Sequence, residues 1–357
     1  MTIKERILSV YNNQVPSQIP VSIYNRYHRY GEIERSARNN GLGILDFYPV
    51  VSLLAPPWHV KPGYVSEVKN SSFTIKNVWD KGQKIEIRTI ETPVGSISQQ
   101  IIQDPSYGSD WVKKHYLEKA MDYKIMQYIM ENLIFESQEK IIKQRIEDMG
   151  HDGVVLGRVD RSPYQKLLVE LANPESFLME LYSYPAPIEE LIAVMNYKCD
   201  EQFKMAMESE VEVIWQPDNV TADMTPPEMF EKYNLPFYSK HGEECKKAGK
   251  PYLVHIDGRT AGIKELIARS PFNVIESFSF SEMAGNVSIE EGNKIWPDKV
   301  ICPNFPATLC YENESTILAY LEKRKSEFNG RPFMIQISED IPIDKYLYIL
   351  PIITKFK

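Results

Sequence analysis

The feature that most constrains the fold of this chain is a repeated alternation of strand-like and helix-like segments. From Ile19 to the C-terminus, about eight apolar, strand-like runs are each followed by a stretch with helical periodicity. Strands that alternate with helices form parallel sheets through right-handed crossovers. About eight such pairs favour an α/β fold, a closed (β/α)8 TIM barrel, over an open doubly wound sheet. The sequence contains neither GxGxxG nor GxxxxGK[ST], the motifs that would support a nucleotide-binding fold.

A different pattern interrupts this alternation near the N-terminus. The runs SFTIKNVW, KIEIRTIE and GSISQQII alternate polar and apolar residues and are joined by the turn sequences DKGQ and ETPVG. Short alternating runs with tight turns predict an antiparallel β-meander. We therefore predict a single barrel domain over residues 1–357, with a β-meander insertion at residues 62–103 that acts as a lid or as a homodimer contact.

Composition excludes several classes of function. Of the 357 residues 43% are hydrophobic and 25% charged, and the net charge is -8 without a clustered basic stripe, which argues against nucleic acid as a partner. No apolar run approaches the roughly 20 residues of a membrane span, and charges interrupt the N-terminal helix pattern, so neither a membrane span nor a signal peptide is expected. The expected compartment is the cytoplasm. The four cysteines show no CxxC spacing and are expected to be free thiols.

The stretch PYLVHIDG is the strongest candidate for chemistry. Its alternation places His255 and Asp257 on one face of a strand that Gly258 ends. Imidazole and carboxylate at the carboxyl end of a parallel strand are typical of metal ligands or acid/base groups, and the alternative is a hydrogen-bonded pair that only ends the strand. The next strand-like runs carry Glu276 and Cys302 near their ends, so these residues are expected to converge with His255 in one cleft.

Polar residues near other strand ends are further candidates. Two arginines, Arg26 and Arg29, follow the first strand and would hold a carboxylate or phosphate, since the guanidinium group matches those anions. The alternative is a solvated loop in which acidic neighbours pair with both arginines. The remaining candidates for catalysis near strand ends are Asp160, Asp218, Asn219 and Glu339.

Several segments stand in a characteristic order along the chain: IPVSIYNRYHRY, TPVGSIS, DYKIMQYIMEN, WQPDN, PPEMFEKYNLPFY, GKPYLVHIDG and NVIESF. This order resembles the uroporphyrinogen decarboxylase superfamily over nearly the whole chain. The resemblance implies a (β/α)8 barrel. It also implies one of two activities, since the superfamily contains cofactor-free porphyrinogen decarboxylases and zinc-dependent methyltransferases that act with cobalamin-bearing proteins.

The decarboxylase pattern fits this chain less well than the methyltransferase pattern. NRYHRY matches the decarboxylase segment RQAGRY only through Arg26, Arg29 and Tyr30, and WQPDN and QISED replace the Phe-Asp-Ser and Gly-His-Gly of those enzymes. A substrate with many carboxylates also requires a basic cleft, whereas the strand ends here are rich in Asp and Glu.

The methyltransferase branch implies a zinc site built on a His-x-Cys motif and a later cysteine. His255 matches the histidine, Asp257 replaces the first cysteine, and Cys302 would supply the second. Glu276 would be a ligand if Asp257 instead orients the imidazole. The resemblance therefore implies a zinc-dependent methyltransferase that moves a methyl group between a small methylated or methoxylated compound and a corrinoid protein. The alternatives are a metal-free decarboxylase and a barrel that binds a small ligand without turnover.

Overall fold

The computed structural model describes residues 1–28, 31–53, 67–104 and 109–356. The chain divides into two compact units, Met1–Tyr48 with Glu139–Val159 and Ala206–Lys357, and Pro49–Gln138 with Asp160–Met205. The first unit contains the barrel sheet and the second contains the meander. The predicted assignment of the whole chain to one domain stays a prediction.

The described strands follow one another along the whole chain. They are β1 Val21–Tyr24, β2 Leu42–Pro49, β3 Glu67–Val68, β4 Ser72–Asp80, β5 Gln83–Thr92, β6 Gly95–Asp104, β7 Ser109–Lys114, β8 Leu133–Ile134, β9 Gly153–Arg158, β10 Ile214–Val220, β11 Tyr252–Ile256, β12 Val274–Phe278, β13 Val300–Pro303 and β14 Ile335–Ile337.

Helices alternate with the strands along the chain, as predicted. They are α1 Ile3–Tyr11, α2 Glu32–Asn39, α3 Ala120–Glu131, α4 Glu139–Met149, α5 Pro163–Lys166, α6 Pro174–Ser183, α7 Pro185–Glu208, α8 Pro227–Met229, α9 Leu235–Lys247, α10 Lys264–Arg269, α11 Ile289–Ile295, α12 Glu314–Phe328 and α13 Ile343–Ile353. Within the described part of the chain, no helix combines the length and the apolar character needed to cross a membrane.

The eight-stranded sheet of the first unit has the order β13-β12-β11-β10-β9-β2-β1-β14. Its two end strands meet where Asn304 bridges to Gln336 in parallel fashion and the Phe305 backbone N–H donates to the Gln336 carbonyl at 2.8 Å. Because these contacts join the last strand of the order to the first, the sheet closes. The predicted (β/α)8 TIM barrel is confirmed.

The interior of the barrel is packed with apolar side chains, and α1 contributes to this core. Thr2 and Glu5 form a capping box that satisfies backbone N–H groups at the start of α1. Helical spacing then places Ile3, Ile7 and Val10 on one face, where they pack with strand residues that include Val274. Burial of this face holds α1 against the strands.

The second unit contains the predicted meander as a four-stranded antiparallel sheet of order β4-β5-β6-β7. Positive φ angles at Lys81 and Gly82 give the two-residue turn between β4 and β5 the twist of a type I′ hairpin. The sheet runs to Lys114, beyond the predicted end of the insertion at residue 103, while residues 62–66 of the predicted range lie outside the described residues.

Candidate active site

Three of the predicted site residues occupy matching positions on neighbouring barrel strands. His255 on β11 pairs in register with Glu276 on β12, which pairs in register with Cys302 on β13. Residues at the same register position of parallel strands point to the same face of a sheet. The residues two positions earlier on these strands belong to the interior core: Leu253, Val274 and Val300. His255, Glu276 and Cys302 therefore face the barrel interior.

Four hydrogen-bond donors surround the carboxylate of Glu276, which has no solvent exposure. One oxygen, Oε1, accepts a short bond from the Tyr24 hydroxyl and a 2.5 Å bond from Gln336 Nε2. The other, Oε2, accepts from Trp215 Nε1 at 2.8 Å and from His255 Nδ1 at 2.6 Å. These donors come from β1, β14, β10 and β11, so closure of the barrel brings them together. We call the four donors, Tyr24, Gln336, Trp215 and His255, the cage of Glu276. A carboxylate has about four lone-pair positions, and all of them are used here.

This cage fixes the charge of Glu276. Burial alone would raise the pKa of the carboxyl group, but the charge of His255 and the hydrogen bonds from His255, Tyr24 and Trp215 outweigh it, and the pKa is lowered. Burial and the neighbouring carboxylate also raise the pKa of the Tyr24 hydroxyl well above its usual value, so that this group stays a donor. Glu276 is therefore ionised at neutral pH.

His255 carries a proton in this environment. Burial by itself would lower the pKa of the imidazole, but the charge of Glu276 and hydrogen bonding to Asp257 and Glu276 raise it to about 9. Asp257 lies on the other side of the ring, with its Oδ2 atom 3.7 Å from Nε2. The His255 side chain is 14% exposed and Glu276 is fully buried. Because Nδ1 bonds Glu276, Nε2 is the ring nitrogen left for another partner. The pair presents a protonated Nε2 at the carboxyl end of the barrel.

Aromatic rings line the interior beside this pair. The rings of Phe47 and Trp215 have centroids 4.3 Å apart, and the rings of Trp215 and His255 are nearly perpendicular with centroids 6.0 Å apart. Tyr24 packs edge-on against Phe47 at 4.6 Å, and the guanidinium of Arg158 lies 5.6 Å from the Trp215 ring. This arrangement offers an apolar wall next to two cationic groups.

The residues that form the cage around Glu276 were not predicted from the sequence. Tyr24 ends a buried strand, and Gln336 stands between two isoleucines of β14. A buried polar side chain inside an apolar strand requires a partner, so Gln336 carried a usable signal. Nothing in the sequence indicated that its partner would be Glu276.

The predicted zinc ligands do not supply a complete zinc site. Both oxygens of Glu276 already accept hydrogen bonds from its four donors. Burial, and to a lesser extent the negative charge of Glu276, raise the pKa of the Cys302 thiol well above its usual value. Among the described residues, no three His, Cys, Asp or Glu side chains converge to hold a metal ion. His255 and Asp257 provide two donors, whereas a catalytic zinc takes three protein ligands. The described residues therefore do not fit this group, and zinc binding stays a prediction.

Two predicted catalytic aspartates have structural partners. Asp160, in the second unit, accepts from the buried Lys166 amine at 2.8 Å, and the Asp160 backbone N–H donates to Gln202. Asp218, in the first unit, is buried and accepts a 2.5 Å bond from the Tyr238 hydroxyl of α9. These contacts hold neighbouring helices, and a catalytic role for either aspartate stays a prediction.

The other predicted residues lie in varied settings. Asn219 is exposed and has a left-handed φ of 54°. Glu339 is partly buried, and this burial raises the pKa of its carboxyl group. The Glu339 carboxylate accepts a hydrogen bond from the Ala307 backbone N–H at 3.3 Å. The guanidinium of Arg26 lies over the Tyr27 ring at 4.3 Å. Arg29 lies outside the described residues. Catalytic and anion-binding roles for these residues stay predictions.

Comparisons with known proteins support the fold and the family resemblance. Residues 165–325 match the family model described as uroporphyrinogen decarboxylase (URO-D). A search of curated proteins returns no match. The solved structure of a methyltransferase from Methanosarcina mazei is 12% identical in sequence, covers 99% of this chain and 98% of its own, and has a TM-score of 0.59. At this identity the likeness shows a shared fold.

A second solved structure is much less similar. It is the EAL enzyme Bd1971 in its cAMP- and cyclic-di-GMP-bound form, with 9% identity, 79% and 65% coverage of this chain and its own, and a TM-score of 0.29, too low to indicate a shared fold. The resemblance of this chain to the uroporphyrinogen decarboxylase superfamily is confirmed by the family model over residues 165–325 and by the barrel fold that it shares with a methyltransferase.

Proposed function

We propose that this chain is an enzyme that removes a methyl group from a small methoxylated or methylated compound. In this proposal, protonated His255 donates a hydrogen bond to the atom from which the methyl group departs. The observation that carries the proposal is the 2.6 Å hydrogen bond between Glu276 and His255 Nδ1. It orients a cationic imidazole at the carboxyl end of the barrel, where enzymes of this fold act. The URO-D family model and the fold of the Methanosarcina mazei methyltransferase support an enzymatic role.

The chemistry follows from the charge that develops on the leaving atom. When a methyl group passes from an oxygen to an acceptor, the carbon–oxygen bond breaks and its electron pair stays on the oxygen. The Nε2–H group of His255 donates its proton to that oxygen, and the product leaves as an alcohol or phenol. Glu276 keeps its hydrogen bond from the Nδ1–H group of His255 during this step, because the proton that leaves is the one on Nε2. The neutral imidazole then regains a proton from water.

The methyl acceptor comes from the family resemblance alone. A corrinoid carried by a partner protein, when bound, would supply the nucleophile that takes the methyl group. The described residues identify no surface for that partner. The role of His255 does not depend on its identity, because His255 acts on the leaving atom.

A metal-free decarboxylase is the second candidate. The observation that favours it is the match of residues 165–325 to the URO-D family model. The acidic strand ends also repel a carboxylate substrate less than the sequence suggested. The charge of Glu276 is balanced by His255, and Asp218 accepts a hydrogen bond from the Tyr238 hydroxyl. In this reaction His255 would protonate the carbon that loses carbon dioxide.

The test compares His255→Gln with a matched histidine variant. The purified chain is mixed with guaiacol, an aryl methyl ether, and with cobalamin kept fully reduced, and methylcobalamin is measured by its absorbance. Loss of the imidazolium should lower kcat by about 100-fold or more with little change in KM, because the proton is needed mainly in the transition state. His241→Gln is the control, since His241 also pairs with a glutamate, Glu244 at 2.8 Å, on α9 outside the barrel interior.

Three results would contradict the proposal. One is a His255→Gln variant with the activity of the wild type. Another is release of carbon dioxide from a porphyrinogen without any methyl transfer, which would support the decarboxylase. The third is one zinc ion per wild-type chain that His255→Gln no longer binds, since a ligating Nε2 cannot also carry the proton.

A further inference from the structure

Strand β4 forms one edge of the meander sheet. It is nine residues long, pairs only with β5 among the described strands, and every residue except the partly buried Phe73 is exposed. An edge strand presents a row of backbone N–H and C=O groups to any strand that approaches it. Proteins usually cover or shorten such edges, so a long exposed one indicates an interaction surface.

The exposed side chains of β4 include large apolar groups. Trp79 is 74% exposed, and Val78 and Ile75 are 40% and 39% exposed. A second tryptophan of the same sheet, Trp111 on β7, is 72% exposed. Tryptophan is enriched where proteins contact one another, because it buries a large area with few rotatable bonds.

The hairpin geometry determines which backbone groups of β4 are open. Asp80 pairs with Gln83 across the two-residue turn, so Asp80 exchanges hydrogen bonds with β5. Because backbone directions alternate along a strand, the backbone N–H and C=O groups of Val78 and Lys76 also point toward β5, like those of Asp80. Trp79 and Asn77 direct their backbone N–H and C=O groups away from β5, toward the open edge.

We propose that β4 pairs antiparallel with β4 of a second copy of this chain, about a two-fold axis at Val78. In this register Trp79 of each copy exchanges backbone hydrogen bonds with Asn77 of the other, which uses the open groups. Val78 meets its own equivalent across the axis. Lys76 of each copy lies opposite Asp80 of the other, so the symmetry creates two ion pairs.

Charge selects this register over its neighbours. An axis at Lys76 would place the two lysines directly opposite each other, which is destabilising. An axis at Asn77 would set Lys76 against Val78 and leave both charges unmatched. The strand is thus complementary to itself in one register, and this self-complementarity identifies a second copy as the occupant. The existing contact of Asp80 with Lys113, at 3.3 Å between exposed side chains, is worth at most about 1 kcal/mol and does not prevent the new pair.

The test is a charge swap followed by analytical ultracentrifugation over about a 100-fold range of concentration. The wild-type chain should reach twice its mass of 41.4 kDa as the concentration rises. Lys76→Asp and Asp80→Lys should each shift the dimer dissociation constant upward by about tenfold or more, because each sets like charges opposite one another at two places. The double variant K76D/D80K should restore the wild-type dissociation constant.

The control is Lys69→Asp, which makes the same charge change at an exposed position before β4 begins. It should dimerise as the wild type does, and circular dichroism should show that every variant is folded. A wild-type chain that stays monomeric over the whole range would overturn the proposal and leave β4 to a different protein. A dimer that neither single substitution weakens, or that the double variant does not recover, would also overturn it.

Discussion

Glu276 shows how one buried side chain can organise a site from distant parts of a chain. Its bond from Tyr24 spans 252 residues and its bond from Gln336 spans 60 residues. The sequence predicted that His255, Glu276 and Cys302 would converge because they follow successive strands. It could not predict the cage, because cage formation depends on strand register and on closure of the barrel, which local patterns do not specify.

The first residue-scale prediction concerns the charge of Glu276. Glu276→Gln keeps the shape of the side chain but removes the carboxylate that balances His255. Burial then acts on His255 without the main opposing charge, and only Asp257 still favours the protonated ring, so the pKa of the imidazole should fall well below 9. Breaking a buried ion pair by removing one partner should also lower the free energy of unfolding by about 3–5 kcal/mol.

The measurement is a pH titration of the His255 ring resonances by NMR, with the resonances assigned from their loss in His255→Gln. Urea unfolding of the same proteins gives the change in stability. Superimposable titration curves for His255 in the wild type and in Glu276→Gln would refute this account of the imidazole charge.

At the scale of the elements, the end of β12 contains an irregularity directly after Glu276. Ser277 has a left-handed φ of 65°, and the register between β12 and β13 shifts between Glu276 and Phe278. A β-bulge of this kind redirects side chains and is common next to active sites. Asn304 donates to the Ser277 hydroxyl at 2.7 Å and accepts a short bond from Ser338, so it ties the bulge to β14.

We expect Asn304→Ala to lower the free energy of unfolding by about 1–3 kcal/mol, because it leaves buried polar partners unsatisfied. Ser277→Gly alone should change stability little, because relief of the positive φ is offset by loss of the hydroxyl that Asn304 donates to. In the Asn304→Ala background that offset is absent, so the same substitution should recover about 1 kcal/mol. A double-mutant cycle by urea unfolding measures this coupling. Strictly additive effects of the two substitutions would mean that Asn304 does not hold the strained conformation.

Elements of different length were predictable to different degrees. The long meander strands with the DKGQ turn were predictable, because alternation over eight or more residues and a turn with glycine specify a hairpin locally. The short strand β14, Ile335–Ile337, was recognisable only from its place in the strand and helix order. The extent of β7 was missed, since its residues Ser109–Lys114 follow the predicted end of the insertion.

At the scale of the whole molecule, the order of strands and helices alone was enough to predict the barrel. About eight repeats of one supersecondary unit leave few compact arrangements other than closure. The sequence gives no such indication that the chain divides into two compact units. No linker-like stretch occurs at the boundaries Tyr48, Val159 or Met205. These boundaries become visible only from contacts in three dimensions.

The pH dependence of global stability is a further consequence of the buried pair. The pKa of His255 is raised from 6.5 to about 9 in the folded state, so the folded chain binds a proton more tightly than the unfolded chain. This contribution is fully present below about pH 6.5 and is lost as the pH rises through about 9. The pKa of Glu276 is lowered from 4.5, so its contribution is present above about pH 4.5 and is lost as the pH falls through the lowered value. Stability from the pair should therefore be greatest between about pH 4.5 and 6.5.

Between pH 6.5 and 9 the free energy of unfolding should fall by up to about 3 kcal/mol, since one unit of pKa shift corresponds to about 1.4 kcal/mol. Urea unfolding at closely spaced pH values measures this slope, and Glu276→Gln provides the reference without the pair. Because the substitution removes the charge that contributes most to raising the pKa of His255, the part of the slope that comes from His255 should be much smaller in the variant, while the titration of all other groups is retained. Equal slopes in the two proteins would show that Glu276 does not couple protonation of His255 to folding.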